Sequence, residues 1–399
     1  MYAIFDCDNC FVSCERTVHP ELRGVPVVVL SNNDGCVVAR SPEAKRMGVK
    51  MGMPYFKMRE MFPPDTIKVV SGHHELYKEV TAGVMDIIRK ASPDFYRYSI
   101  DEAFCSLDGM DRIDLKIWGE KLSQEILRNT GMPVSIGIAP TKTLAKCADR
   151  FAKDYAGYNK CCLIDTEDKR RKALALFPIG EVWGIGRRMG AQLLYCGVRT
   201  AEQFVEKPRS WVRKEFHIGG ERTWLELQGT DCIPTEQHDV KKSLSTTRTF
   251  AEMTDDEEVL RTAITGYAVQ CAERLRQQHS VCATVTTVIS TNRFRTDLPQ
   301  YYGSHATTLL TPDDSTQGIV KAALESLHRC FRPGFLYKRG GVIVSELCDA
   351  SSIQTNFLDF DAERHAKLKR LSAAIDTINA HNGRNTVMLG RLGGKRKEK

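Results

Sequence analysis

Two adjacent carboxylates, Asp101 and Glu102, lie between two apolar and aromatic runs that both have the composition of β-strands. Neighbouring side chains of a strand point to opposite faces, so this pair can serve one site only if a turn or bulge intervenes. A solvated turn between two strands has the same pattern. The N-terminus favours a site, because a short apolar run there ends in a third carboxylate, Asp6. Three carboxylates on neighbouring strands repel one another unless cations bind, which predicts a site for a hard divalent cation such as Mg²⁺.

The bulk composition narrows the class of protein. A chain of 399 residues is too long for one ordinary core, which predicts two to four domains. With 42% apolar and 27% charged residues, no apolar run long enough for a bilayer and no signal-peptide pattern, we expect a soluble, cytoplasmic protein without a membrane partner. The fourteen cysteines are expected to be buried thiols, and no complete metal-binding set surrounds Cys7, Cys10 and Cys14. The formal charge of +7 favours a polyanionic partner weakly.

Strands interleaved with helices predict an α+β sheet domain, covered by helices on one face, in the first part of the chain. The helices are predicted over residues 75–90, 115–129 and 141–153. Residues 11–72 form a turn-rich module in which a hairpin pairs residues 26–30 with 36–39. A helical region follows, and beyond a polar linker the order strand, helix, strand, strand, helix, strand predicts a separate βαββαβ unit.

Several basic residues are placed where they could contact a polyanion. Gly184 and Gly186, between helical segments, resemble the hairpin of a helix-hairpin-helix element, whose backbone N–H groups can bind a DNA phosphate. A plain turn between helices has the same pattern, but Arg187 beside it favours DNA binding. Arg248 belongs to a set of basic residues near strand ends of the βαββαβ unit, which could face a phosphate backbone or bulk solvent.

The acidic residues and the basic helix together predict a class of chemistry. Asp6, Asp101 and Glu102 could hold two metal ions, and the lysines of the helix over residues 141–153 could hold phosphates. These groups suit phosphoryl or nucleotidyl transfer. Hydrolases use the same groups, so this set alone does not distinguish synthesis from hydrolysis.

Several longer motifs resemble those of the Y-family translesion DNA polymerases. The motifs are Ala3-Ile4-Phe5-Asp6, Val27-Val28-Val29-Leu30-Ser31-Asn32-Asn33-Asp34-Gly35-Cys36-Val37-Val38-Ala39-Arg40, Glu43-Ala44-Lys45, Gly48-Val49-Lys50-Met51-Gly52 and Ser99-Ile100-Asp101-Glu102-Ala103. The run that begins at Ser31, and Tyr301-Tyr302-Gly303 before Leu309-Leu310-Thr311-Pro312, are similar to the UmuC subunit of bacterial DNA polymerase V. The resemblance runs from Met1 to about Leu358.

The resemblance implies a multidomain right-hand polymerase. A ferredoxin-like palm is expected at residues 1–10 and 73–165, small fingers at 11–72, a helical helix-hairpin-helix thumb at 166–235, a βαββαβ little finger at 241–347 and a C-terminal tail at 348–399. The implied activity is error-prone, template-directed DNA synthesis across lesions, within the SOS response to DNA damage. The enzyme would extend a primer 3′-OH with dNTPs and use two Mg²⁺ ions. Because every segment is assigned, no room remains for a proofreading domain.

The resemblance also assigns roles to residues of the site. Asp6, Asp101 and Glu102 match the metal-binding carboxylates, and Cys7 would contribute its backbone carbonyl. Phe11 falls at the steric-gate position, where its ring would exclude a ribose 2′-OH. Relatives usually carry Tyr there, so Phe keeps the bulk and loses a hydrogen bond.

Further contacts with the nucleotide and with proteins are implied in the same way. Lys45 and Lys153 match triphosphate contacts, whereas Pro42 replaces a Tyr used by many members, so one phosphate contact is expected to be absent. Gln354, Phe357 and Leu358 resemble a sliding-clamp-binding motif, with Phe and Leu in reversed order. The implied partners are primer–template DNA, the sliding clamp, and a UmuD-like dimer and RecA-type filament.

Two other classes of function remain open from the sequence. One is a DNA-binding scaffold that recruits repair factors and needs no catalysis. The other is a two-metal nuclease or nucleotidyl cyclase, which would act without a template. Both would use part of the same basic and acidic residues.

Overall fold

Three sheets organise the chain over residues 1–31, 34–234, 241–353, 361–383 and 385–390, the part that the computed structural model describes. They are distributed over two units, Met1–Gln237 and His238–Lys399. The first unit contains a five-stranded and a three-stranded sheet, and the second contains a four-stranded sheet. Within the described residues, no helix is both long and apolar enough to span a bilayer.

The first unit mixes strands and helices along its whole length. In chain order its elements are β1 (Tyr2–Cys7), α1 (Cys10–Val18), β2 (Val27–Leu30), β3 (Val37–Arg40), α2 (Pro42–Arg46), α3 (Tyr55–Met61), β4 (Lys68–Ser71), α4 (His74–Ala91), β5 (Asp94–Arg97), β6 (Glu102–Ser106), α5 (Leu115–Thr130), β7 (Val134–Ala139), α6 (Lys142–Asp154), β8 (Cys161–Leu163), α7 (Glu167–Leu176), α8 (Arg187–Tyr195), α9 (Ala201–Val205) and α10 (Arg209–Leu227).

The five-stranded sheet has the order β5-β6-β1-β7-β8. Its central strand β1 is antiparallel to both neighbours, and the edge strand β8 is parallel to β7. The succession β1-α4-β5-β6-α5-β7, with these strands in the order β5-β6-β1-β7, is the ferredoxin-like β-α-β-β-α-β arrangement. The predicted α+β sheet is therefore confirmed, and α4, α5 and α6 are the three predicted helices.

Helices cover both faces of this sheet, so the prediction of helices on one face is wrong. Phe5 is fully buried in a core that includes residues of α4 and α5. Its neighbour Ile4 is fully buried in a second core that includes residues of α6. Strands buried on both faces carry continuous apolar runs, as β1 and β7 do. Helix α6 lies so close to β7 that a Cβ on Gly137 would be 2.0 Å from the carbonyl oxygen of Ala145.

The three-stranded sheet has the order β3-β2-β4 and its own small core. The predicted hairpin of β2 and β3 is confirmed, and Ser41 caps α2 by accepting a hydrogen bond from the backbone N–H of Ala44 at 3.2 Å. The sequence prediction missed α3 and β4, which pairs parallel to β2. Strand β4 lies at the sheet edge with its residues mostly exposed, so it carries no buried pattern that a sequence could display.

Helices α7 to α10 follow the five-stranded sheet and share a core with α6. Beyond α6 this core includes Leu174, Phe177, Phe204 and Leu227, all buried. Helix α10 contains a kink at His217, whose φ is 56°. The predicted change to an all-helical region is confirmed, because no strand lies between residues 167 and 227.

The second unit has the predicted βαββαβ order. Its elements are β9 (Ser243–Thr254), α11 (Glu257–Gln277), β10 (Ser280–Thr291), β11 (Tyr302–Asp313), α12 (Thr316–Cys330), β12 (Tyr337–Asp349) and, after the sheet, α13 (Ala362–Asn382). The sheet is antiparallel with the order β11-β10-β12-β9, and one core joins it to α11 and α12. Strand β11 extends beyond both ends of the predicted strand over residues 306–310.

Candidate active site

Asp6 and Glu102 face each other across two neighbouring strands. They are direct register partners in the antiparallel pair of β1 and β6. Opposite residues of such a pair project to the same face of the sheet. Both side chains are largely buried, with 17% of Asp6 and 18% of Glu102 exposed. The structure therefore brings together two of the three carboxylates that the sequence predicted.

Asp101 lies in a bend immediately before β6. The bend is held by Ser99, whose hydroxyl donates to the Asp101 carboxylate and accepts from the backbone N–H of Glu102 at 3.0 Å. The backbone N–H of Cys7, which is buried, donates to the Asp101 carbonyl oxygen at 3.0 Å. This bend is the interruption that the adjacent carboxylates require if both are to serve one site. Among the described residues, no three Asp, Glu, His or Cys side chains form a group that could hold a metal ion.

Two lysines of α6 neutralise the facing carboxylates. Lys146 Nζ donates to Glu102 Oε1 at 2.7 Å, and Lys153 Nζ lies 2.6 Å from Asp6 Oδ2. The lysines are two helical turns apart and so lie on one face of α6. Because Gly137 has no side chain, α6 can pack directly on β7, the neighbour of β1, and this packing brings both ammonium groups within reach of the carboxylates.

Burial and neighbouring negative charges disfavour the ionised forms of Asp6 and Asp149. Burial raises the pKa of Asp6 to about 8, and the charges of Asp149 and Glu102 add to the rise although Lys153 opposes it. Burial also raises the pKa of Asp149 to about 6. A hard divalent cation takes carboxylate oxygens as ligands and would stabilise their ionised form.

Asp149 is a site residue that sequence reasoning missed. It is 6% exposed, and its Oδ2 accepts a hydrogen bond from Lys153 at 2.7 Å. Its other oxygen, Oδ1, is buried without a hydrogen-bond partner among the described residues. Burial alone would lower the pKa of Lys153. The negative charges of Asp149 and Asp6 outweigh this effect and raise the pKa. The spacing of Asp149 and Lys153, one helical turn on α6, is the signal that could have found this pair.

Lys146 also contacts a group of aromatic rings. Its ammonium lies 5.0 Å from the ring centre of Tyr98, 5.8 Å from that of Phe104 and 5.7 Å from that of Trp183. Aromatic rings attract a lysine ammonium at such distances. Tyr98 and Trp183 are in contact edge to face, with ring centres 5.9 Å apart. Through Lys146 and Tyr98, the strand that begins at Glu102 is therefore connected to the turn that contains Trp183.

Asp8 is close to the site in sequence but has a different set of contacts. It is buried, and its carboxylate accepts hydrogen bonds from Ser135 at 2.8 Å and Lys160 at 2.7 Å. These contacts lie in the same sheet domain and do not include Asp6 or Glu102. Asp8 thus provides a matched acidic residue for comparison.

Phe11 lies on α1, half-buried against α4. Its ring stacks on the ring of Tyr77 with centres 4.6 Å apart and planes 16° apart. The ring of His74 meets it edge to face at 5.5 Å. Lys45, the second residue with an implied nucleotide contact, is exposed on α2, where Pro42 occupies the first position.

The predicted DNA-binding residues are divided between the two units. Gly184 and Gly186 lie in a tight turn after a short 3₁₀-helix (Ile179–Glu181), and Gly186 is the N-cap of α8. Arg187 is exposed at the start of α8, a helix end whose first N–H groups have no partner within the helix. Arg248 is exposed on β9 of the second unit. The clamp motif of Gln354, Phe357 and Leu358 lies outside the described residues.

Sequence comparisons match almost the whole chain. A sequence model of the impB/mucB/samB family matches residues 5–150, and one of that family's C-terminal domain matches residues 241–357. The protein UmuC of Salmonella typhimurium is 37% identical over 390 residues, which are 97% of this chain and 92% of UmuC. The protein MucB of Escherichia coli is 30% identical over 98% of this chain and 93% of MucB. A DNA polymerase IV of Caulobacter vibrioides is 26% identical over 98% of this chain and 93% of the polymerase.

Solved structures show the same fold. A Y-family DNA polymerase chimera superposes with a TM-score of 0.69 at 23% identity and covers 88% of this chain and 100% of the chimera. DinB from Sulfolobus solfataricus superposes with a TM-score of 0.54 at 22% identity, covering 86% of this chain and 98% of DinB. The fold is thus that of a multidomain right-hand polymerase, as predicted.

Proposed function

Because this chain belongs to the impB/mucB/samB family, we infer that it is an error-prone, template-directed DNA polymerase that carries out translesion synthesis in the response to DNA damage. Its reaction joins a dNTP to a primer 3′-OH and releases pyrophosphate. The observation that carries this inference is the carboxylate pair of Asp6 and Glu102, buried on adjacent strands beneath the lysines of α6. Neither a noncatalytic scaffold nor a template-independent nuclease or cyclase has an observation in its favour here.

We propose the domain assignment that the sequence predicted. The palm comprises residues 1–10 and 73–165, the fingers 11–72, the thumb 166–235, the little finger 241–347 and the tail 348–399. In support, each of the three sheets belongs to one of these ranges, although β12 ends two residues beyond 347. The boundary between the two units, after Gln237, lies in the proposed linker between thumb and little finger.

We propose that Asp6, Asp101 and Glu102, with the backbone carbonyl of Cys7, hold two Mg²⁺ ions. Such ions would lower the pKa of the primer hydroxyl and neutralise the charge that develops on pyrophosphate. The raised pKa of Asp6 supports this assignment, because a buried carboxylate gains most from a cation. Lys153 is shared between Asp6 and Asp149, and its ammonium can contact a triphosphate when it leaves Asp6.

We propose that Phe11 acts as the steric gate and Lys45 as a triphosphate contact. The half-buried ring of Phe11 offers a rigid apolar surface against which a ribose 2′-OH would be desolvated without a hydrogen bond. Lys45 is exposed, as a residue that binds a soluble ligand must be. The backbone N–H groups near Gly184 and Gly186, together with Arg187 and Arg248, would bind phosphates of the primer–template.

We propose three protein partners. The motif of Gln354, Phe357 and Leu358 would bind a sliding clamp, as hydrophobic anchors flanked by polar residues do in docking peptides. A UmuD-like dimer and a RecA-type filament are proposed on the likeness to UmuC, which extends over 97% of this chain.

The test of the proposed function is primer extension by the purified protein on undamaged and lesion-containing templates. Asp6→Asn and Asp101→Ala should each lower incorporation on the order of 100-fold or more, because transition-state charge loses its stabilisation. Binding to primer–template should remain, since neither residue lies on the proposed DNA-binding surfaces. Asp8→Asn removes the same charge two positions from Asp6 and should retain activity. Full activity of Asp101→Ala, or product formation without a template, would refute the proposal.

A further inference from the structure

A polar cluster lies behind Phe11, with two buried members and one exposed member, His73. It consists of Glu15, Tyr77 and His73 and is called the Glu15 cluster below. Glu15 Oε1 accepts a hydrogen bond from the Tyr77 hydroxyl at 2.6 Å and lies 2.9 Å from His73 Nδ1. The Glu15 side chain is 1% exposed, and its Oε2 accepts no hydrogen bond from the described residues.

The Glu15 cluster and Phe11 belong to the same helix–helix contact. Phe11 and Glu15 are one turn apart on α1 and therefore lie on one face of it. Both contact Tyr77 of α4, Phe11 through its ring face and Glu15 through the hydroxyl. Tyr77 itself is completely buried. The ring of Tyr77 thus packs against Phe11, and its hydroxyl binds Glu15 one turn further along α1.

Stability alone does not account for this arrangement. A buried carboxylate must be desolvated, and apolar residues of similar size are often as stable or more so. A hydrogen bond to a charged acceptor is short and directional, so it restricts where the Tyr77 ring can lie. Because the Phe11 ring stacks on Tyr77 nearly parallel, the position of Tyr77 in turn limits the tilt and depth of Phe11.

We propose that Glu15 and Tyr77 are positioning residues that set the discrimination between deoxyribose and ribose by holding the ring of Phe11 in place. This inference rests on the proposed role of Phe11 as the steric gate. Neither residue touches the sugar. Phe11 can exclude a ribose 2′-OH only if its ring cannot move away from the sugar. The Glu15–Tyr77 hydrogen bond fixes the Tyr77 ring on which Phe11 stacks and so prevents that movement.

The experiment measures kcat/KM for dATP and for ATP opposite a template thymine and takes their ratio. Tyr77→Phe keeps the ring and removes the hydroxyl, and Glu15→Leu removes the acceptor. Each should lower the ratio about 5- to 10-fold, the size expected for the loss of one typical hydrogen bond. The double variant should show no further fall, because both changes remove the same interaction.

Thermal unfolding of the same variants separates positioning from stability. Tyr77→Phe removes the tyrosine donor from the buried Glu15 carboxylate and leaves it only the contact with His73 among the described residues, so this variant should unfold at a lower temperature than the double variant, in which both partners are apolar. The dATP/ATP ratio should remain low in the double variant although its stability recovers. A ratio that recovers together with stability would overturn the proposal. If Glu15→Leu does not fold, an unchanged dATP/ATP ratio in Tyr77→Phe would by itself overturn the proposal.

Two controls identify which assignment fails. Val84→Ala removes a fully buried side chain from α4 and should lower stability without changing the ratio. Phe11→Ala should raise ATP incorporation strongly. If it does so while Tyr77→Phe and Glu15→Leu keep the wild-type ratio, the gate stands and the positioning role is refuted. If Phe11→Ala leaves the ratio unchanged, the gate assignment and the positioning role both fall.

Discussion

Single residues around Asp6 show how burial and charge prepare this site for a cation. Burial raises the pKa of Asp6, the charges of Asp149 and Glu102 add to the rise, and Lys153 offsets only part of it. The folded protein therefore binds a proton at Asp6 more tightly than the unfolded chain does. Stability from this group falls as the pH rises from about 4 towards 8, because ionisation is unfavourable in the folded state.

Binding of Mg²⁺ should restore the stability that is lost when Asp6 ionises. A cation bound at Asp6 and Glu102 stabilises the folded state by about 1.4 kcal/mol at ten times its Kd. We expect thermal unfolding, without DNA or nucleotide, to move to higher temperature on addition of Mg²⁺. The shift should be larger at pH 8 than at pH 6, where protons compete for Asp6. Asp6→Asn and Glu102→Gln should lose the shift and Asp8→Asn should keep it; an equal shift in Asp6→Asn would contradict the metal assignment.

At the scale of elements, close backbone approaches bring distant residues of the site together. Gly137 lets α6 approach β7, and this contact carries Lys146 and Lys153 to the carboxylates. A second close approach occurs in the hairpin before α8, where Gly184 has φ of +89° and faces Thr223 of α10. The hairpin also contains Trp183, which contacts Tyr98 near the acidic bend. The shape of this turn therefore affects both the helix end and the site.

The two glycines of the hairpin should respond differently to alanine. In Gly184→Ala the added Cβ would lie 2.4 Å from Thr223 Oγ1 and occupy a left-handed conformation, so we expect a loss of about 1–3 kcal/mol in the free energy of unfolding. Gly186 has φ of −74° and open space around it, so Gly186→Ala should change stability by less than about 0.5 kcal/mol. Urea unfolding followed by tryptophan fluorescence tests this, because all four tryptophans lie in the first unit. Equal losses would show that the hairpin is not constrained at Gly184.

At the scale of the whole molecule, the proposed catalytic site and the proposed clamp motif belong to different parts of the chain. The carboxylates and the lysines of α6 are all in the unit Met1–Gln237. The clamp motif falls in the range of the second unit, His238–Lys399. That unit has its own core beneath its four-stranded sheet, and Arg276 forms a double hydrogen bond with Asp376 of α13 at 2.6 and 2.8 Å.

This division predicts that recruitment can be removed without loss of chemistry. Replacing Phe357 and Leu358 by Ala should lower affinity for the sliding clamp at least about 10-fold, because the apolar anchors of a docking peptide supply most of its binding energy. Primer extension without the clamp should be unchanged. Affinity is measured with purified clamp, and replacement of the exposed Leu310 by Ala is the control for loss of an apolar side chain in the same unit. Unchanged clamp affinity would show that these residues are not the motif.

The sequence by itself determined the features that depend on neighbouring residues. The 3.6-residue periodicity of α4 and α5, the apolar runs of β1 and β7 and the βαββαβ order of the second unit were all predictable, because local side-chain patterns reflect which face of an element is buried. The carboxylates of the site were also found this way, since Asp6 ends one apolar run and Glu102 begins another. Family resemblance then supplied roles that no local pattern contains.

Only the tertiary structure decided which of these residues meet. The pairing of Lys153 with Asp6, the contact of Glu15 with Tyr77 and the helices on both faces of the five-stranded sheet depend on packing between segments far apart in the chain. Edge elements such as β4 escaped prediction because an exposed strand has no buried face to mark it. A pattern records whether a residue is buried, whereas strand register and helix packing determine what it is buried against.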